Sequence, residues 1–234
     1  MKKWLILIVL TLFSVPLYAN DIYVTQSGDD LDLDITQDGQ NNIAGTSGTA
    51  VGLTGDTMTF SISQVGNANV ISTIINGDTY TGNINLTGSS NDVALLCDST
   101  GTAGSGNCET VSLSIDVTGS SADIDVTIGD SASAVNYVGT VDIATSNTET
   151  FTLTVNAANA DADIDIDNDA LGSSVGNTSN YTQTGAGDSA GHSLTHSHTG
   201  EGATIDITQS GNYDNKLQLT TVGDDADIDI SQTD

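Results

Sequence analysis

One phrase restricts this chain more than any other: aliphatic and polar residues alternate with a period of two, the run ends in Gln-x-Gly, and the chain then writes it again. "GDDLDLDITQDG" begins at Gly28, "GSSADIDVTIG" at Gly119, "GEGATIDITQSG" at Gly200 and "GDDADIDISQ" at Gly223. Period two sends alternate side chains to opposite faces of a strand. Leu31, Leu33, Ile35 and Gln37 then share one face, with Asp32, Asp34 and Thr36 on the other; Ala203, Ile205, Ile207 and Gln209 repeat the split, as do Ala226, Ile228, Ile230 and Gln232. Apolar spacing near 3.6 is missing, and Thr, Asn, Asp and Gly disfavour helix.

The repeat supplies the tertiary expectation. Gly28 to Gly39 and Gly200 to Gly211 are each eleven residues, and Gly66 to Gly88 is 22. Two strands and two glycine arcs make one coil, so the fold class expected is an all-β solenoid of stacked strand-arc-strand coils of about 22 residues, at most nine or ten in number. Stacking places equivalent residues about 4.8 Å apart, so inward amides can bond to their own copies as a ladder. The residues assigned to amide ladder and arcs are Gln26, Gly28, Gln37, Gly39, Asn42, Gln64, Gly66, Asn69, Gly88, Asn91, Gln183, Gly185, Gln209, Gly211 and Gln232. A glutamine buried at a fixed place in a repeat is satisfied by the next glutamine, which explains why the phrase recurs in register.

Address and charge narrow the function. Lys2 and Lys3, the apolar run Trp4 to Phe13 and the small residue at Ala19 read as a signal peptide over 1-19, too short an apolar run to cross a bilayer. The remaining 20-234 form the repeat domain, exported and without membrane insertion. Beyond the signal, Lys216 is the one basic side chain against 31 acidic ones, which argues against nucleic acid and anionic lipid as partners. With aromatics at 4%, a thick globular core is poorly supplied, and repetition is what lets a thin one be buried. Cys97 and Cys108 bracket a small-residue loop and are expected to close it as a disulfide.

The motif Gln-x-Gly-x-x-Asn followed by a small residue resembles the curlin repeat of bacterial curli amyloid fibres. Gln37-Asp38-Gly39-Gln40-Asn41-Asn42 and Gln64-Val65-Gly66-Asn67-Ala68-Asn69 fit it; Gln183-Thr184-Gly185-Ala186-Gly187-Asp188 fits with Asp in place of Asn, and Gln209-Ser210-Gly211 fits at its start, its Asn215 one residue late. The centre departs: Leu86 replaces the Gln before Gly88 and Asn91, and around Gly119 both amides are gone. The resemblance implies a secreted structural subunit that leaves the cell through a curli-type outer-membrane channel, polymerises on a nucleator and serves adhesion and biofilm matrix at the cell surface. Self-association is then its main partnership.

Other constellations are weaker. His192, His196 and His198 share one side if extended and could hold a transition metal, but the stretch Gly185 to Gly200 exceeds the usual unit by four residues and reads as a loop. The Asp rows could bind calcium loosely; otherwise no cofactor is expected. Catalysis needs groups converging in a pocket, which flat repetitive faces do not offer, so an enzyme is not expected. Alternatives are a non-polymerising solenoid adhesin and a cation- or ice-binding protein, the latter from Thr-x-Thr pairs at Thr57, Thr79 and Thr148.

Overall fold

A computed structural model describes residues 21–46, 48–97, 108–129, 134–168, 177–185, 192–213 and 215–234. The segment read as a signal peptide, 1-19, and the interior of the cysteine loop lie outside them. The chain is all β, a parallel solenoid of about 7 turns. Its strands are β1 (Asp21–Ile22), β2 (Thr25–Ser27), β3 (Leu31–Asp38), β4 (Asn42–Ala44), β5 (Val51–Thr54), β6 (Thr57–Asn76), β7 (Thr79–Cys97), β8 (Thr110–Ile128), β9 (Ala134–Asn168), β10 (Asn177–Thr184), β11 (Ser193–Thr199), β12 (Ala203–Ser210), β13 (Lys216–Val222) and β14 (Asp227–Thr233).

Every coil contributes two limbs joined by an arc, and the long strands β6 to β9 run straight through that arc. The first limb is a parallel stack of β3, the opening halves of β6, β7, β8 and β9, then a later passage of β9, then β11 and β13. The second limb stacks β1–β2, β4–β5, the closing halves of β6, β7 and β8, the middle of β9, then β10, β12 and β14. β9 folds back over itself: Asn159 donates to Asn136 at 3.4 Å across 23 residues, which lays Asp161–Asp167 over Val138–Ala144.

Alternation decides what is buried. β12 reads buried-exposed throughout, with Ala203, Ile205, Ile207 and Gln209 inside and Thr204, Asp206 and Thr208 outside. The core is a column of Ile, Leu, Val and Ala running the length of the rod, interrupted by large rings set against small neighbours. Phe60 lies beside Gly82, where a Cβ would collide with its ring, and Phe60 and Tyr80 pack with centroids 5.8 Å apart.

Coil length differs from the expected uniform 22. Equivalent residues are 22 apart between Asn69 and Asn91 but 27 between Gln37 and Gln64, and the average is about 26, so the rod makes about seven turns, below the upper bound of nine or ten. In the 27-residue coil the excess lies within the second limb, between Ala44 and Val51, whose partners Ile71 and Thr73 have one residue between them; in the coil from β7 to β8 it falls between the limbs. Counting from glycine to glycine sees the strands, whose length the core width fixes, but not residues inserted between strands, which leave the register of the rungs unchanged.

Candidate functional site

The amides form two ladders, one on each limb. On the first limb Gln64 Nε2 donates to Gln37 Oε1 at 2.6 Å, and each glutamine also reaches across the arc to a backbone carbonyl, Gln37 to Ile43 at 3.1 Å and Gln64 to Val70 at 3.3 Å. On the second limb Gln232 donates to Gln209 at 2.7 Å and Gln209 to Gln183 at 2.6 Å, with arc bonds from Gln209 to Lys216 and Gln183 to Ser193, both 3.2 Å. The glutamine therefore does two jobs: it clips coil to coil and it staples one limb to the other at the bend. The Gln37 pair and the Gln183 trio do not form one column, as the shared motif suggested, because both limbs carry the same alternation and the motif can sit on either.

Asparagine makes a third column. Asn42 donates to Asn69 Oδ1 at 3.3 Å and Asn69 to Asn91 Oδ1 at 2.9 Å, while the same amides donate to the carbonyls of Val65 at 2.9 Å and Thr87 at 3.1 Å. This geometry explains the glycine of the motif. A Cβ on Gly88 would strike the carbonyl oxygen of Gly66 and lie 2.7 Å from Asn69 Nδ2; Gly66 and Gly119 stand in the same relation to Gly39 with Asn42 and Gly88 with Asn91. Gln-x-Gly-x-x-Asn is thus one unit in which the carbonyl and amide of the coil below fill the space a side chain would need. Gly39 turns the first bend of this column at a positive φ of 158°, Gly28 and Gly185 turn other bends at 148° and 139°, and Gly211 stacks on Gly185.

Towards the middle the amides give way. The first-limb glutamine column continues as Leu86, Val117 and Ile143, and the second-limb column as Val155, Ile128, Cys97, Ile75 and Leu53 before reaching Gln26 on β2. Gln26 is exposed and stands against Leu53, so it belongs to the column but not to a ladder. Cys97 and Cys108 are joined with Cα atoms 6.1 Å apart, both fully buried.

The histidine stretch is a strand, β11, and not a loop; its extra residues lie before Ser193. His196 and His198 point inward, 2% and 1% exposed, in register with Ile164 and Ile166 below and Leu219 and Thr221 above. Their rings stack at 6.2 Å, and none of their four nitrogens has a partner among the described residues. Burial, then the neighbouring His198, pushes His196 down to about 4; burial lowers His198 as well. Neutral imidazoles here take aliphatic places. His192 is buried at the entry to the same strand. No group of three or more His, Cys, Asp or Glu side chains that could hold a metal comes together among the described residues.

One buried acid was missed. Glu149, 1% exposed, stands in the asparagine column between Ala122 and Asn177, where Ser179 Oγ donates to its Oε1 at 3.4 Å. Burial raises its carboxyl to about 8 against a small opposing effect of the Ser179 bond, so it is a neutral acid at pH 7. Its parity with Phe151, Leu153 and Val155 was the available signal.

The outer faces carry stacked carboxylates: Asp92 over Asp123, Asp116 over Asp142, Asp206 over Asp229. Desolvation first, then Asp123 and Asp125, raises Asp92; desolvation and then Asp125 raises Asp123. These two border an open groove of about 390 Å³ along the arc, lined also by Ser90, Ser121 and Thr148. Of the threonine pairs, Thr57 and Thr59 stack on Thr79 and Thr81, whereas Thr148 and Thr150 lie on the other limb.

Among the described residues both extremities are open: β13 pairs only with β11, β14 only with β12, β3 only with β6, β1 only with β4 and β2 only with β5. Inward residues there stay wet: Ile228 is 36% and Ile230 49% exposed, and Leu31, Leu33, Leu217 and Leu219 are half-buried. No helix among the described residues is long and apolar enough to cross a membrane. Comparison with family models, curated proteins and solved structures finds no match to this chain.

Proposed function

We propose that this chain is an exported, non-catalytic structural protein whose copies add end to end into an extracellular amyloid-like fibre, in the manner of curlin subunits. The observation that carries the reading is the pair of open extremities. Each ends in strands with an unpaired backbone edge and half-wet core residues, the arrangement that templates another strand. The ladders support it, since an amide column gains one bond for every coil added and is indifferent to whether that coil belongs to the same chain. On this reading the partners are further copies, with a dedicated outer-membrane channel and a nucleator as accessories, and the fibre serves adhesion and matrix at the cell surface.

The test is electron microscopy and fibre diffraction of the purified exported protein over several days. Unbranched fibres with a meridional spacing of about 4.8 Å are expected; discrete particles alone would favour a monomeric solenoid adhesin.

A further inference from the structure

Among the described residues the first limb has eight passages and the second has nine: β1–β2 is a half-coil with no counterpart across the rod. An odd number of limbs prevents flush stacking. If β1–β2 of one copy settles on β14 of another, its β3 rises a full coil above β13 and leaves a strand-wide slot. If instead β3 settles on β13, β1–β2 and β14 claim the same place.

The sequence favours the second arrangement, because the two contenders are alike. Asp21-Ile22-Tyr23-Val24-Thr25-Gln26-Ser27 matches Asp227-Ile228-Asp229-Ile230-Ser231-Gln232-Thr233 position for position in its inward Ile, aliphatic and Gln. Register puts Gln26 and Gln232 in one column, continuous through Leu53, Ile75, Cys97, Ile128, Val155, Gln183 and Gln209. They differ in grip. β1 and β2 are two and three residues long with a break between them, whereas β14 is an unbroken seven.

We propose that β1–β2 is a placeholder: as copies join, β14 of the preceding copy displaces it from β4–β5 and takes its seat, while β13 docks on β3. The inference rests on the fibre reading and specifies its joint. Ile228 and Ile230 then cover Ala44 and Val51, and on the first limb Leu217 meets Leu33 and Leu219 meets Ile35, aliphatic on aliphatic. Charge fits as well. Following the first-limb register from Lys216 through Ser193, Asp161, Val138, Ser112, Thr81 and Thr59 arrives at Asp32, so the one lysine outside the leader faces an aspartate across the joint. Within its own coil stack Lys216 has Ser193 as neighbour.

The experiment is seeded elongation of the exported protein, with excess seed ends so that nucleation does not contribute, and circular dichroism to confirm each variant folds. Ile22→Ala with Val24→Ala weakens the placeholder and is expected to speed elongation several-fold. Slower elongation would overturn displacement and make β1–β2 the docking strand, with the fibre reading intact. Lys216→Glu and Asp32→Lys are each expected to slow elongation by about two- to fivefold, the scale of an exposed ion pair, and the double variant to recover it. Failure of the double variant to recover overturns the register. A wild type that makes no fibre removes both the joint and the reading beneath it.

Discussion

Gly88 has no room for a methyl group, and this is where side-chain chemistry and coil stacking meet. Gly88→Ala forces the Gly66 carbonyl and the Asn69 amide apart and is expected to cost about 1–3 kcal/mol, as overpacking does. Gly52→Ala, whose Cβ would meet only the Thr25 side chain at 3.9 Å, is expected to change stability little. Urea unfolding of the pair separates a steric requirement from a general preference for glycine. Asn69→Ala should cost about 2–3 kcal/mol, since it leaves Asn42 and Asn91 buried without their ladder bonds. That these amides face inward was readable from parity alone. The limb on which each stands, and the bond each makes across the arc, were not, because two limbs with the same alternation look identical in sequence. The same parity rule would have placed Glu149 and the histidines inside; what hid the histidines was the four-residue excess between Gly185 and Gly200, which read as a loop, and burial is tolerated because these groups are neutral.

At the scale of the strand, these neutral groups set opposite pH limits. Glu149 keeps its proton in the folded chain up to about 8, whereas an unfolded glutamate loses it near 4.5, so folding stability falls as pH rises through that window. His196 works the other way. The unfolded imidazole binds a proton from about 6.5 downward and the folded one refuses it until about 4, so stability is lost as pH falls between those values, and His198 adds in the same direction. Above 6.5 the two histidines no longer contribute, while Glu149 still does. The urea midpoint is therefore expected to fall between pH 6.5 and 8.5, and Glu149→Gln to flatten that fall; an unchanged slope in the variant would show the carboxyl is not the cause. On the acid side the loss should concentrate at β11 and β13, because Leu219 and Thr221 rest on the histidines. Coils carrying Asp92, Asp123 and Asp142 respond oppositely: their raised carboxyls take up protons on folding and gain stability as the pH drops. Hydrogen exchange at pH 7 and pH 4.5, corrected for intrinsic rates, would resolve the two regions.

At the scale of the rod, strand content and inward faces were legible because a rung repeats the same physics at every level; coil length was not, because residues can be inserted between strands without changing the register of any rung. The outward carboxylates follow the rung too, and in the proposed fibre they would oppose growth. Two charges about 4.8 Å apart repel by about 0.9 kcal/mol in water, and each added copy lengthens such columns at its joint. Salt shortens the reach of this repulsion to about 10 Å at 0.1 M, so elongation is expected to quicken as ionic strength rises. The proposed pair of Lys216 with Asp32 would be attractive and pull the other way, but it is one pair against 31 acidic residues, so screening should help more than it hurts. A diffuse acidic surface also predicts which cations matter. Calcium and magnesium at equal concentration should accelerate growth alike, beyond sodium at matched ionic strength only by their higher charge. A marked advantage for calcium would mean that stacked pairs such as Asp116 and Asp142 converge on an ion with oxygen ligands in defined number, and that the columns are built sites and not a diffuse field.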